Sequence, residues 1–406
     1  MKKNLFIIAA IALVSVSCSN EKLLNNSVNE AAVKPIGFDV YANKSTKANN
    51  ENNKNNLNFF YDAFKVSGWK YTDDWKVVFN NEINEYFASN AKGKYVYDAE
   101  GQKPSDEWAS ASASTYVPAW YYEGVRYWDK FATKYQFGAY APKDAANVTI
   151  AYSASADDCT ITMASSESKF TVESTNLMAT PSKTLAYKGF TTDFMTAAAH
   201  TGDNNSTSPV SLTFTHELAK FDVKLVLNTT VKTSQPVVVN EIKFHNLNGS
   251  SYYDSSKESE TGFLTGWNTP TDEVTTYAIN GPGSATNGYQ LNLDLDENDD
   301  EFDNYNEYYV FESLMIPQTI QRATNAAQLE EPAQACIYVK YSIGNEEFEG
   351  FYALANMFIE ANSTETSFDL AGGNEYILTI TVGPAPIYFT PTVTTWTEVA
   401  QNYDVQ

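Results

Sequence analysis

Short alternations of apolar and polar residues run along most of the chain, and no long helical period interrupts them. Ile36, Phe38 and Val40 alternate with Gly37, Asp39 and Tyr41. Tyr135, Phe137 and Ala139 alternate with Gln136, Gly138 and Tyr140 ahead of Pro142, and Val148, Ile150 and Tyr152 with Thr149 and Ala151. The stretch from Val66 to Val78 carries Trp69, Tyr71 and Trp75. Beyond residue 209 the period is cleaner. Phe221, Val223, Leu225 and Leu227 oppose Asp222 and Lys224, and Leu291, Leu293 and Leu295 alternate with Asn292, Asp294 and Asp296. Ile337, Val339, Tyr341 and Ile343 form one set, Tyr376, Leu378, Ile380 and Val382 another. A period of two places successive side chains on opposite faces of a strand. Strands this frequent, each with one face for a core, predict an all-β fold built of β-sandwiches.

Turn and linker residues divide the pattern. Asn43 to Asn58 holds eight Asn in sixteen residues and predicts an exposed loop open to proteases. Residues 201–209, TGDNNSTSP, give the strongest linker signal in mid-chain. The expected organisation is an N-terminal β-sandwich over 35–205 and a C-terminal β-sandwich over 206–406, two domains in tandem.

The N-terminus changes the setting. Lys2 and Lys3 precede a twelve-residue stretch, Leu5 to Val16, broken only by Ser15. It is too short to span a bilayer and the right length for an export signal. It ends in SVSCS, where a small residue precedes Cys18 as at the cut-and-lipidate site of bacterial lipoproteins. The expectation is a signal peptide over 1–17, a lipid on Cys18 and a polar tether over 18–34. The chain of 406 residues carries a net charge of −23. That excess argues against nucleic acid, whose phosphates require a basic face. Hydrophobic residues make up 43 % and aromatics 14 %, enough for a sizeable core.

Catalytic chemistry is sparse. The histidines are His200, His216 and His245, and no nucleophile elbow, HExxH or P-loop occurs. Neither a metal site nor a cofactor is expected. The acidic run from Asp294 fails the calcium-loop pattern at Asp299 and Tyr305, where Gly and Glu are needed. His216, near a strand start, reads as a structural residue. Cys159 and Cys336 show no metal-ligand spacing and read as buried thiols. Tyr116, Trp120, Tyr121, Tyr122, Tyr127 and Trp128 crowd six aromatics into thirteen residues. Such rings pack a core and its lip, or stack on a sugar.

Residues 212–225 (LTFTHELAKFDVKL), 373–382 (GNEYILTITV) and 387–396 (IYFTPTVTTW) together resemble the fimbrillins, the type V pilins. Segments 127–128 (YW), 135–142 (YQFGAYAP), 193–197 (DFMTA), 314–318 (LMIPQ), and 36–40 (IGFDV) with 45–48 (STKA) fit the same order. The resemblance implies two transthyretin-like β-sandwich domains and a non-enzymatic subunit. It implies export to the outer membrane on a lipid anchor, then proteolytic loss of a first strand holding Ile36, Phe38 and Val40. A C-terminal donor strand from a neighbouring fimbrial subunit, within 384–406 and led by Ile387, Phe389 and Val393, would fill the groove left behind. The product is a cell-surface fimbrium that adheres to a host or bacterial receptor. The alternative is an unpolymerised surface lipoprotein that binds glycans or acts as an adhesin. The resemblance implies maturation that usually follows an Arg. Here the matching place is Lys47 before Ala48, and the first Arg of the chain is Arg126.

Overall fold

The computed structural model describes residues 36–42, 63–87, 119–124, 126–145, 148–154, 159–165, 170–171, 193–201, 209–228, 237–257, 263–264, 266–268, 274–279, 289–291, 307–324, 327–328, 330, 333–360, 362–383 and 387–395. It is all-β: strands dominate, and Leu354–Phe358 is the one α-helix among the described residues.

Seven strands form the sheet of the first half. Its order is Phe38–Ala42, Val210–His216, Met195–Thr201, Lys134–Ala141, Ala63–Tyr71, Trp75–Phe87 and Ala119–Tyr122. Every described pairing in it is antiparallel except the first. Phe38–Ala42 runs parallel to Val210–His216, with Phe38 opposite Val210 and Val40 opposite Leu212. The sheet curls until its two outer strands meet. The Phe38 ring lies edge-on to Tyr122 with centroids 6.1 Å apart, and the Ile36 N–H donates to the Arg126 carbonyl at 2.8 Å. The curl encloses a core of Phe64, Val66, Phe79, Trp120, Phe137, Leu212 and Phe214. Gly68 permits the closest approach inside it. A Cβ there would stand 2.7 Å from Phe137 Cδ1 and 3.1 Å from Phe79 Cδ2. Gly68→Ala is expected to destabilise the chain by about 1–3 kcal/mol through overpacking, read from the midpoint of denaturant unfolding.

The second half is a face-to-face sandwich. A four-stranded sheet, in the order Glu307–Met315, Ala219–Leu227, Asn374–Val382 and Tyr388–Thr395, lies against a larger one. The larger sheet runs Val274–Ile279, Val237–Asn248, Cys336–Ile343, Glu346–Ala353 and Ala327–Gln328, with Tyr289–Leu291 also paired to Val237–Asn248. Phe221, Val223 and Leu225 of one sheet meet Ile242, Phe244, Ile337 and Val339 of the other. This is the inward alternation expected of two packed sheets, and the Phe221 and Phe244 rings sit 5.4 Å apart.

A third core unites the halves. Trp69, Tyr140 and Phe194 from the first pack with Leu218, Tyr253, Trp267, Leu314 and Ile316 from the second. The hairpin of Thr149–Ala154 and Cys159–Ala164 contributes Ile150 and Met163 to it. Lys34–Gln406 accordingly forms one compact unit. The expected border at 205/206 precedes Val210–His216, yet that strand belongs to the sheet of the first half. The passage from one sheet to the other falls at Glu217 and Leu218, because Val210, Leu212 and Phe214 bury their side chains in the first core.

Candidate assembly slot

Phe38–Ala42 closes the first sheet as a stave closes a cask. Ile36, Phe38 and Val40 are 1 %, 5 % and 2 % exposed. Phe38 is gripped edge-on by four rings: Phe79 at 5.4 Å, Phe137 at 5.8 Å, Tyr122 at 6.1 Å and Phe64 at 6.2 Å. Edge-to-face contacts of this kind add to the area buried.

The strand is held differently on its two sides. Toward Val210–His216 it makes a parallel ladder, in which the Val210 N–H donates to the Gly37 carbonyl at 2.8 Å. On the other side the strand is held at Ile36. Its N–H reaches Arg126 O, and the Tyr122 hydroxyl donates to Ile36 O at 2.6 Å. Arg126 is itself fixed. Its guanidinium pairs with Glu82 at 3.0 Å and lies 5.6 Å from the Phe79 ring and 5.8 Å from the Tyr122 ring.

The loop carrying Arg126 is anchored as well. Asp129 pairs with Lys70 at 2.7 Å. Burial pushes its carboxyl up, but the bonds from Lys70 and the Phe131 N–H prevail and hold it below its ordinary value. Burial pushes the Tyr135 phenol up, and that of Tyr140 up to about 12, so both hydroxyls stay protonated.

Ile36, Phe38 and Val40 therefore converge in one slot. Ile387 and Phe389 lie elsewhere, packed against the core of the second half. They belong to Tyr388–Thr395 and its approach, which pairs antiparallel with Asn374–Val382 as an outer strand of the four-stranded sheet. Phe389 stacks at a tilt on Tyr352 at 4.6 Å, whereas Val393 is 47 % exposed. Cys18, Lys47, Ala48 and Tyr116 fall outside the described residues, as does the acidic run up to Asn306. Trp120, Tyr122 and Trp128 are buried in the first core. Trp120 packs edge-on to Phe64 at 4.9 Å, which removes the basis for sugar stacking on its ring. His216 bonds the Asp193 carboxylate at 2.8 Å deep inside the protein. Cys159 and Cys336 are buried thiols.

Two residues that hold the first strand escaped the sequence reading. Tyr122 was one ring in an aromatic run, and Arg126 drew notice only as the first Arg. Their closeness to Ile36 comes from the curl of the sheet, which the period of two does not encode.

Comparison with known proteins supplies the family. Residues 82–396 match a sequence model described as fimbrillin-like. Among curated proteins nothing matches. Solved structures that align with the chain include a fimbrial protein from Bacteroides vulgatus, at 13 % identity and a TM-score of 0.46, covering 90 % of this chain and 100 % of that one. Another is the tip fimbrial protein Mfa3 from Porphyromonas gingivalis, with C-terminal truncation, at 11 % identity and a TM-score of 0.37, covering 89 % and 100 %. Similarity that slight carries no argument about function, so the assignment rests on the sequence match, which runs from within Trp75–Phe87 to the end of the last strand. The chain belongs to the fimbrillin-like family.

Proposed function

We propose that the chain is a non-enzymatic structural subunit of a surface fimbrium, serving adhesion and polymerised by exchange of strands between copies. It would be exported on the signal 1–17 and held at the outer membrane through a lipid on Cys18. A protease cut after Lys47, before Ala48, would detach Ile36–Val40 from the rest of the chain. The vacated slot would then accept the C-terminal segment of a neighbouring subunit, built around Ile387 and Phe389.

One observation carries this reading. An N-terminal strand with three buried apolar side chains lies parallel at the rim of a closed sheet, ahead of a Lys-containing segment. Removing it would bare the Val210–His216 edge and a groove lined by rings, which is a template for strand addition. Backbone bonds would give affinity, and the alternation of side chains would fix register.

The test is limited digestion of the purified chain beginning at Cys18 with trypsin, which cleaves after Lys. The expected result is a fragment starting at Ala48 that elutes as a ladder of multimers. A fragment that stays monomeric with Ile36–Val40 still bound would overturn the reading.

A further inference from the structure

We infer that the segment entering the vacated slot is Ile387–Pro391 of a second copy, seated in the place and direction of Ile36–Val40. Ile387 takes the position of Ile36, Phe389 that of Phe38, and Pro391 that of Val40. This rests on the strand-exchange reading above and adds to it the register, the direction and the residues that grip the incoming strand.

The slot sets three demands. The position ringed by Phe64, Phe79, Tyr122 and Phe137 needs an aromatic side chain. The position two residues earlier needs an apolar side chain, because Ile36 is 1 % exposed. That same earlier residue must also offer an N–H to Arg126 O and a carbonyl to the Tyr122 hydroxyl.

The aromatic residues of 384–406 are Tyr388, Phe389, Trp396 and Tyr403. Seating Tyr388 in the ring site puts Pro386 on Arg126, where it has no N–H to give. Trp396 would place Thr394 in the apolar position, and Tyr403 would place Gln401 there. In the direction of Ile36–Val40, Phe389 alone brings an apolar residue with a free N–H, Ile387. Entry in the opposite direction with Phe389 in the ring site would set Pro391 against Arg126 O, again without a donor.

The proline at the far end fits for a backbone reason. In a parallel pair, alternate residues of one strand make both ladder bonds. The bond from Val210 N–H to Gly37 O, with Phe38 in register with Val210, assigns the ladder to Gly37, Asp39 and Tyr41. The N–H of Val40 points the other way. A proline there removes no ladder donor, so Pro391 is tolerated where Thr390 or Tyr388 could not be replaced by proline.

At home the donor lies at the rim of the second half, paired along one edge to Asn374–Val382. Its strand is an outer one, Thr390, Thr392, Val393, Thr394 and Thr395 are exposed, and Ile387 and Phe389 are only partly buried.

Directed cross-linking tests the register. Asp39 stands opposite Ser211 in the ladder, so Thr390 of the donor would stand opposite Ser211 of the acceptor. One population carries Thr390→Cys and another Ser211→Cys, in the chain beginning after Cys18; both are cut with trypsin, mixed and oxidised. Disulfides demand close and aligned Cβ atoms, so covalent pairs are expected at about tenfold the yield obtained with Thr392→Cys in place of Thr390→Cys. Thr390→Pro is expected to abolish multimers, and Pro391→Val to leave them intact. Multimers that cross-link best through Thr392→Cys, or that survive Thr390→Pro, would overturn the register while leaving strand exchange standing. Absence of multimers from the unsubstituted cut chain would overturn both.

Discussion

Phe38→Ala is expected to lower the unfolding free energy of the uncut chain by about 3–5 kcal/mol, the usual cost of deleting a buried aromatic side chain. The site cannot collapse to compensate. Phe38 is wedged among four rings that belong to three other strands and the end of a fourth, and those strands are fixed by their own ladders. Guanidinium unfolding at neutral pH measures the effect. The companion measurement is sharper. Once the first strand has been cut away and replaced by a neighbour's, Phe38 is no longer in the particle. The substituted and unsubstituted chains should then give multimers of equal stability. A deficit that persists after assembly would mean that the first strand never leaves.

Lys220→Ala is expected to cost about 3 kcal/mol or more, by a different route. Lys220 is 1 % exposed, with its ammonium 2.7 Å from the Glu375 carboxylate and 3.5 Å from that of Asp222. Lys220 and Glu375 are register partners on neighbouring parallel strands. Lys220 also stands opposite Leu314, a member of the core shared by the two halves. Removing the cation deprives two largely buried carboxylates of the ammonium they share, which is far more damaging than losing a surface pair. Denaturant unfolding of the variant should show the loss. The charge-neutral Glu375→Gln should lose less, because it keeps an oxygen to accept from the ammonium and Asp222 still offsets the charge.

Much of the second half was legible from periodicity. Phe221, Val223 and Leu225 point inward as their spacing predicts, and so do Tyr376, Leu378, Ile380 and Val382. A sandwich core is a direct reading of period two. The same rule failed where a sheet is covered on both faces. Asp222 was expected on a solvated face with Lys224, and Tyr140 opposite the core, yet they are 2 % and 1 % exposed. What covers Tyr140 includes Trp69, Phe194 and Trp267, residues remote in sequence. No local pattern announces such a neighbour. The slot was half legible for a similar reason. The apolar triad Ile36, Phe38 and Val40 marks a strand in any reading, but its partner, Val210–His216, was assigned to the second half. A parallel pairing leaves no turn between its strands to betray it.

That pairing has a consequence for how the molecule comes into being. The stave and the strand it lies along are separated by about 170 residues, and loop closure on that scale is among the slow steps of folding. Phe38–Ala42 has no strand to form a ladder with until the middle of the polypeptide has followed it. The first barrel-like layer therefore cannot close until Val210 and its successors are in place to shut it.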